Sequence, residues 1–193
     1  MTRFVALLRG VNVNGITVKS AELAELFRSL GFAEVRTVLA SGNVVFETTD
    51  ARDPAALKTT IEAALATRFG YDAWIVLLPH ARLAAAVAAY PFAEDEATHP
   101  YVVFTSSPDV LADLTSFAST LAQPPAAGAP SPPAASITGA APAGERAEPG
   151  DGVLYWQCPR GSSTDTPLAK HLARATYRAT TTTRNLRTLR KLL

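Results

Sequence analysis

Strand-length apolar runs alternate with segments of helical periodicity along this chain, and their order limits the folds it can adopt. In the N-terminal part the order is strand, helix, strand, strand, helix, strand. That order is typical of the split βαβ unit, in which two helices cover one face of a four-stranded antiparallel sheet. The predicted strands are Phe4–Leu8, Val35–Leu39, Val44–Thr48 and Trp74–Leu78, and the predicted helices are Ser20–Leu30, a segment from Asp53-Pro54 to Gly70, and Ala81–Tyr90.

The C-terminal part repeats this order. Its predicted strands are Tyr101–Thr105, Ala134–Thr138, Val153–Cys158 and Thr176–Thr182, and its predicted helices run from Ser107-Pro108 to Leu121, from Thr166-Pro167 onward, and over Asn185–Leu193. The sequence therefore predicts an α+β chain with two tandem ferredoxin-like (βαββαβ) halves and antiparallel sheets, plus a C-terminal helix. We expect the halves to span residues 1–92 and 93–193.

Turn and cap residues fix several of these boundaries. Ser20 suits the N-cap of the first helix, and Gly31 suits the position just past its end. Ser41-Gly42 predicts a tight turn between two strands, which should form a hairpin. Residues 123–149 are rich in Pro and Ala, a composition that predicts a long irregular loop. Such a loop lies on the surface or closes over a site as a lid.

Composition places the chain among globular proteins. Hydrophobic residues make up 48% of its 193 residues. The longest apolar runs are shorter than the roughly 20 residues of a membrane span, and the N-terminus lacks a signal-peptide pattern. With Cys158 as its one cysteine the chain has no internal disulfide, and we expect this thiol to be a small buried hydrophobe. These features predict a cytoplasmic protein without membrane association.

Charge is unevenly distributed although the net charge is only +1. Residues 160–193 carry eight basic side chains and one acidic, whereas residues 32–159 carry six basic and fourteen acidic. A basic C-terminal segment suits a polyanionic partner. The alternative is that the acidic middle and the basic end neutralise each other within the fold.

Three polar stretches follow strands and form the candidate site. Arg9 ends the first apolar run and enters a loop rich in Gly and Asn, whose backbones tolerate unusual conformations. Two stretches of similar character occur later in the chain. The candidate ligand-binding residues are Arg9, Asn12, Ser41, Asn43, Thr183, Arg184 and Asn185.

These side chains suit an anionic ligand. A guanidinium group binds carboxylate or phosphate through two parallel hydrogen bonds, and hydroxyls and amides add neutral donors. Residues 183–185 also lead into the last helix, whose first amides favour an anion. If Arg9 and Arg184 meet between the halves, an anion between them would relieve their repulsion. In the structural alternative the Asn residues hold turns, Thr183 caps a helix and both arginines pair with carboxylates.

Catalytic and metal-binding patterns are not recognisable in the sequence. His80, His99 and His171 lie far apart, without the spacing of a zinc site, and there is no P-loop or nucleophile elbow. We therefore predict no metal or cofactor, and leave open whether the protein is an enzyme. Nucleic acid is the rival partner, because related sheets bind RNA by aromatic stacking. Tyr155 and Trp156 alternate along one strand, however, and so lie on opposite faces.

Three motifs resemble a known bacterial family. They are Ala6-Leu7-Leu8-Arg9-Gly10-Val11-Asn12-Val13, Ser41-Gly42-Asn43-Val44-Val45-Phe46, and Thr181-Thr182-Thr183-Arg184-Asn185 with Lys191-Leu192 nearby. The chain is similar in these motifs to the family of domain of unknown function 1697. The resemblance implies a duplicated ferredoxin-like arrangement and no established activity. We thus expect an anionic small molecule in a cleft between the halves, a nucleic-acid-binding module, or a structural protein without a ligand.

Overall fold

The computed structural model describes residues 1–9, 17–39, 42–49, 53–70, 72–121, 144–177 and 179–193. The strands are β1 (Thr2–Arg9), β2 (Ala33–Thr37), β3 (Asn43–Thr48), β4 (Trp74–Pro79), β5 (Thr98–Thr105), β6 (Arg146–Gly150), β7 (Val153–Pro159) and β8 (Thr181–Asn185). The helices are α1 (Ser20–Ser29), α2 (Pro54–Phe69), α3 (His80–Ala88), α4 (Pro108–Leu121), α5 (Pro167–Leu172) and α6 (Leu186–Arg190), and Ala175–Tyr177 is a 3₁₀ turn.

The eight strands form two separate four-stranded sheets. The first has the order β2-β3-β1-β4 and the second the order β6-β7-β5-β8, and all neighbouring strands are antiparallel. The prediction of an α+β chain with two tandem halves is confirmed. Each half has the element order βαββαβα, so that the C-terminal helix α6 is the counterpart of α3. None of the described helices is long and apolar enough to cross a membrane.

Local sequence explains where α2 begins and ends. The Asp53 carboxylate accepts hydrogen bonds from the backbone N–H groups of Ala55 and Ala56, at 2.9 and 3.1 Å, and Pro54 occupies the first helical position. Gly70 ends the helix with φ of 69°, a left-handed conformation in which glycine has no steric penalty. The N-cap predicted at Ser20 is wrong, because α1 already includes Ser20 and Lys19 holds the cap position without a side-chain hydrogen bond.

The outer face of each sheet is covered by the two crossover helices of its own half. In the first half, α1 and α2 bury Phe27 and Ile61 against Phe46, and the rings of Phe27 and Phe46 meet edge to face at 5.3 Å. In the second half, α4 and α5 bury Leu114 and Leu168 against β5 and β7. Each half therefore has an apolar core of its own.

The inner faces of the two sheets share a third core. It contains β1 and β5 side chains such as Val5 and Phe104, together with Leu83 of α3 and Leu186 of α6, all of them buried. Polar contacts also cross between the halves here, since the Tyr155 hydroxyl donates to the carbonyl of Ala86 at 3.0 Å. Both faces of each sheet are thus covered.

The last strand differs from its prediction at Thr176–Thr182. Strand β8 is Thr181–Asn185, and it pairs with Tyr101–Thr105 of β5. The preceding residues turn instead, and the Thr181 hydroxyl closes this turn by donating to the carbonyl of Tyr177 at 2.9 Å. Arg184 consequently lies within a strand rather than after one.

Residues 146–150 form strand β6, which corrects the loop predicted over 123–149. This strand lies at the edge of the second sheet and pairs only with β7. Edge strands tolerate Pro and need no apolar alternation, so composition gave no signal for it. The predicted strand Ala134–Thr138 and the rest of 122–143 lie outside the described residues.

The shared core predicts that the two halves unfold together. Trp74 lies in β4 of the first half and Trp156 in β7 of the second, and the chain has two tryptophans. The Trp156→Phe variant therefore reports on the first half and Trp74→Phe on the second. In urea, the fluorescence midpoint of each variant should coincide with its own far-UV circular dichroism midpoint. Separate transitions in either variant would show that the halves are independent.

Candidate functional site

Arg9 and Arg184 come from the two inner sheet faces and meet at the edge of the shared core. The side chain of Arg9 lies at the end of β1 on the same face as Val5 and Leu7. Arg184 pairs with Val102 of β5, whose side chain is buried in the shared core. Both arginines are half-buried. The sequence motifs at opposite ends of the chain are thus brought to one junction.

Arg9 reaches from the first half into the second. Its Nη1 donates to the carbonyl oxygen and to the hydroxyl of Thr181, both at 2.7 Å. The same nitrogen lies 3.4 Å from the carbonyl oxygen of Tyr177. These acceptors belong to the turn before β8 and to its first residue. Arg9 therefore holds the start of β8 against the end of β1.

Arg184 reaches in the opposite direction. Its Nε donates to Oδ1 of Asn43 at 2.7 Å, and its Nη2 donates to the carbonyl oxygen of Leu8. Its Nη1 donates to the Thr182 hydroxyl at 2.6 Å, within its own strand. Asn43 is itself fully buried, and its amide group donates to the carbonyl of Val38 at 2.9 Å. Two arginines thus link the halves reciprocally, and the acceptors named here are all neutral.

Burial and the neighbouring cation both act on the Arg184 guanidinium. Burial is the larger effect and the positive charge of Arg9 the smaller, and together they lower the pKa of Arg184 from 12.5 to about 10. The group remains protonated at neutral pH, but its charge is held at an electrostatic cost. An anion placed beside the two guanidinium groups would reduce that cost.

Of the other predicted site residues, two lie on the outer face of β8 and two lie outside the described residues. Thr183 and Asn185 alternate with Arg184 along the strand and therefore lie on its opposite, outer face. Asn185 caps α6, because its Oδ1 accepts from the backbone N–H of Arg187 at 2.9 Å. The structural alternative places this cap at Thr183, and that assignment is wrong. The Asn185 side chain already satisfies a backbone N–H group in the first turn of this five-residue helix. Asn12 and Ser41 lie outside the described residues.

A pocket of about 400 Å³ adjoins Arg9 on the outer face of the second sheet. Residues of α5, the aromatic pair Tyr101 and Trp156, and three hydroxyl-bearing residues all contribute to its lining. Its lining residues are Arg9, Tyr101, Trp156, Ser163, Thr164, Ala169, Leu172, Ala173 and Thr183. Its volume lies within the range of small-molecule sites. Arg9 is the lining residue that comes from the first half.

Asp113, His171 and Tyr177 form a polar cluster that the sequence did not reveal. The Tyr177 hydroxyl donates to the Asp113 carboxylate, and Nε2 of His171 lies 2.7 Å from the same hydroxyl oxygen. The cluster is connected to the candidate site because the Tyr177 carbonyl accepts from Arg9. These residues come from α4, α5 and the 3₁₀ turn, so no sequence motif joins them.

Burial is the main cause of the pKa shifts of Tyr177 and His171 in this cluster. Burial, and then the hydrogen bond to Asp113, raise the pKa of Tyr177 to about 12. The pKa of His171 is lowered, first by burial and second by the charge of Arg174. Nδ1 of His171 has no hydrogen-bond partner among the described residues. A neutral imidazole is therefore the form that the fold favours.

Cys158 behaves as predicted from its apolar surroundings. Its side chain is fully buried within the outer core of the second half. Burial raises the pKa of its thiol to about 11, which suppresses the reactive thiolate at neutral pH. Among the described residues there is no cluster of three or more His, Cys, Asp or Glu side chains that could hold a metal ion.

We predict that Arg184→Lys destabilises the protein. Lysine keeps the buried charge but cannot donate at once to Leu8, Asn43 and Thr182, since its donors are on a single nitrogen. Buried acceptors that lose their donors should lower the free energy of unfolding by about 1–3 kcal/mol. Arg187→Lys, at an exposed position of α6, is the control, expected to change stability by less than about 0.5 kcal/mol. Equal urea midpoints for the two variants would contradict this role.

We also predict a pH dependence of stability that comes from His171. Its folded pKa lies below its unfolded value, so the unfolded state binds more protons and stability falls as pH drops through the unfolded value near 6.5. The lowered pKa of Asp113 acts in the same direction in more acidic solution. Between pH 7.5 and about 5.5 the His171→Gln variant should lose less stability than the parent. Lys170→Gln on the same helix should retain the parental slope.

Comparisons with known proteins bear on the fold and on the family. A conserved bacterial protein, SP0830 from Streptococcus pneumoniae, has a similar structure, with a TM-score of 0.70 over 99% of this chain and 96% of that chain. Its sequence identity of 23% makes this a likeness of fold alone. No protein of curated function matches the chain. Residues 1–126, well over half of the chain, match the family described as protein of unknown function (DUF1697), and the chain belongs to that family.

Proposed function

We propose that this protein binds an anionic small molecule, bearing a phosphate or carboxylate group, at the junction between its two halves. One observation carries the proposal. Arg9 and Arg184, from opposite ends of the chain, meet at the edge of the shared core, and Arg9 also lines a pocket of about 400 Å³. Two neighbouring cations in a half-buried place favour an anion between or beside them.

The chemistry of the surrounding groups supports this choice. A guanidinium group donates in a fixed planar fork that matches carboxylate and phosphate oxygens. The hydroxyls of Thr183, Ser163 and Thr164 line the same pocket and add neutral donors. Arg184 and Asn43 are hydrogen-bonded to each other across the junction. In this proposal Arg9 contacts the ligand directly, whereas Arg184 strengthens the positive potential at the site.

Nucleic acid is the less favoured ligand. RNA-binding sheets of similar topology present an uncovered face with aromatic side chains. In the described chain both faces of each sheet are covered, one by helices and the other by the partner sheet. The basic C-terminal segment is also partly neutralised, because Arg190 forms an ion pair with Glu94. A pocket that is lined by one cationic side chain, Arg9, suits a small anion better than an extended polyanion.

The structural alternative assigns the arginines to joining the halves only. Their hydrogen bonds to Thr181, Leu8 and Asn43 fit this alternative as well. The two interpretations differ at Arg9, because a purely structural Arg9 predicts no anion binding that depends on its charge. Arg184 is the less suitable residue for this test, because in this proposal it does not contact the ligand. Substitution of Arg9 also removes hydrogen bonds across the junction, so the fold of that variant is checked by circular dichroism.

The test is binding of inorganic phosphate, measured by line broadening in phosphorus NMR at low salt. We expect the parent protein to bind phosphate and Arg9→Leu to bind it at least about tenfold more weakly, because a charge-assisted hydrogen bond contributes about 1.5–3 kcal/mol. The affinity for phosphate should fall only modestly as salt is added, whereas binding to a nucleic-acid backbone weakens steeply.

The matched control is Arg3→Leu. Arg3 lies on the same strand at its other end, where it pairs with Glu47 at 3.6 Å. Both variants change the net charge equally, so a loss confined to Arg9→Leu assigns binding to the junction rather than to overall charge. Equal phosphate binding by the parent and Arg9→Leu, with both folded by circular dichroism, would refute the proposal in favour of the structural role.

A further inference from the structure

The wall of the pocket beside Arg9 is aromatic and rigid. Tyr101 and Trp156 stack with their ring centroids 4.9 Å apart and their planes 28° from parallel. Trp156 is almost completely buried, whereas Tyr101 is half-buried and so presents ring surface to the pocket. Aromatic side chains combine large contact area with few rotatable bonds. The pocket therefore offers a flat apolar surface of fixed orientation.

A buried carboxylate helps to fix this wall. Oε1 of Glu145 accepts from the indole nitrogen of Trp156 at 3.1 Å, and the Glu145 side chain is itself only 6% exposed. Burying an acidic group is unfavourable unless it is hydrogen-bonded, and burial raises the pKa of this carboxyl. Glu145 thus orients Trp156, and Trp156 in turn supports Tyr101.

Helix α5 and its C-cap supply further lining residues of the pocket. Two of them, Ala169 and Ala173, are small, and they are four residues apart, whereas Leu172 is larger. Methyl groups at the two alanine positions occupy less volume than larger side chains would. The pocket is thus lined by aromatic rings, by small and apolar side chains of this segment and by the cationic Arg9.

We infer that this pocket holds a flat aromatic ring of the ligand against Tyr101 while Arg9 holds its anionic group. The ligand class is then an aryl-bearing phosphate or carboxylate rather than a small inorganic or aliphatic anion. This inference rests on the proposed function, because it assigns the ring pocket to the same ligand that Arg9 binds. It adds the aromatic specificity, which the arginines alone do not supply.

The first test compares phenyl phosphate with inorganic phosphate, both followed by phosphorus NMR at a pH where both are dianions. Stacking on a tyrosine ring and burial of the phenyl group should make phenyl phosphate bind about tenfold more tightly or better. Arg9→Leu should weaken both. Equal affinities for the two probes, with both dependent on Arg9, would overturn the aromatic specificity and leave the proposed function standing.

Two variants then test the pocket itself. Ala169→Leu fills part of the pocket with a strong helix former, and Tyr101→Leu removes the ring but keeps an apolar side chain. Each should weaken the binding of phenyl phosphate more than the binding of inorganic phosphate, because only the phenyl group needs the ring pocket. Ala112→Leu on an exposed position of α4 is the matched control.

The outcomes separate the two proposals. If phenyl phosphate binds Ala169→Leu and Tyr101→Leu as tightly as it binds the parent, the ring lies elsewhere and the inference is wrong. If neither probe binds the parent, the proposed function fails and the inference fails with it. Tyr101 is half-buried and Ala169 lines the pocket, so neither substitution replaces a fully buried side chain. At least one of these variants should therefore fold as the control does.

Discussion

Each sheet of this protein has two apolar faces, and the need to cover both of them governs the arrangement of the halves. The crossover helices of a half cover only the outer face. The inner face is covered by the other sheet together with α3 and α6, in a core that both halves supply. Apolar burial is proportional to the area removed from water, so neither half is complete alone. In a single unit the inner face of the sheet would be open to RNA, but in this protein the other half covers it.

Polar groups occur where this shared core reaches its edge. At that place the carbonyls at the end of β1 and at the start of β8 are near the partner half and require donors. Arg9 and Arg184 supply these donors in opposite directions. The same arrangement concentrates two positive charges, which explains why burial and Arg9 lower the pKa of Arg184. The geometry that joins the halves is therefore also the one at which we propose that an anion binds, and a bound anion would stabilise the folded state by linkage.

Sequence periodicity predicted most helices, the locations of six of the eight described strands and the duplication, because burial on one side of an element leaves a repeating apolar pattern. It missed β6, since an edge strand such as 146–150 is held by backbone pairing and needs no such pattern. The binding site itself stays a prediction. Of its residues, Arg9, Asn43 and Arg184 lie at one junction. Thr183 and Asn185 lie on the other face of β8, because side chains alternate along the strand on either side of Arg184. Trp156, whose orientation depends on a hydrogen bond to Glu145 just before the neighbouring strand β6, carried no signal in the apolar pattern.

Comparison of the two halves shows where they differ at equivalent positions of their inner faces. The register pairs Leu7 with Val76 and Val5 with Leu78 in the first sheet, and Phe104 with Thr182 and Val102 with Arg184 in the second. Thr182 and Arg184 thus occupy places that Val76 and Leu78 fill with apolar side chains in the first half. Packing alone needs no charge there, and a buried charge is costly compared with a hydrophobic residue of similar volume. Local departures from the pattern that stabilises a fold are characteristic of functional positions. The departure in β8 lies beside Arg9 and its pocket, which is the physical reason to look for a ligand at this end of the junction.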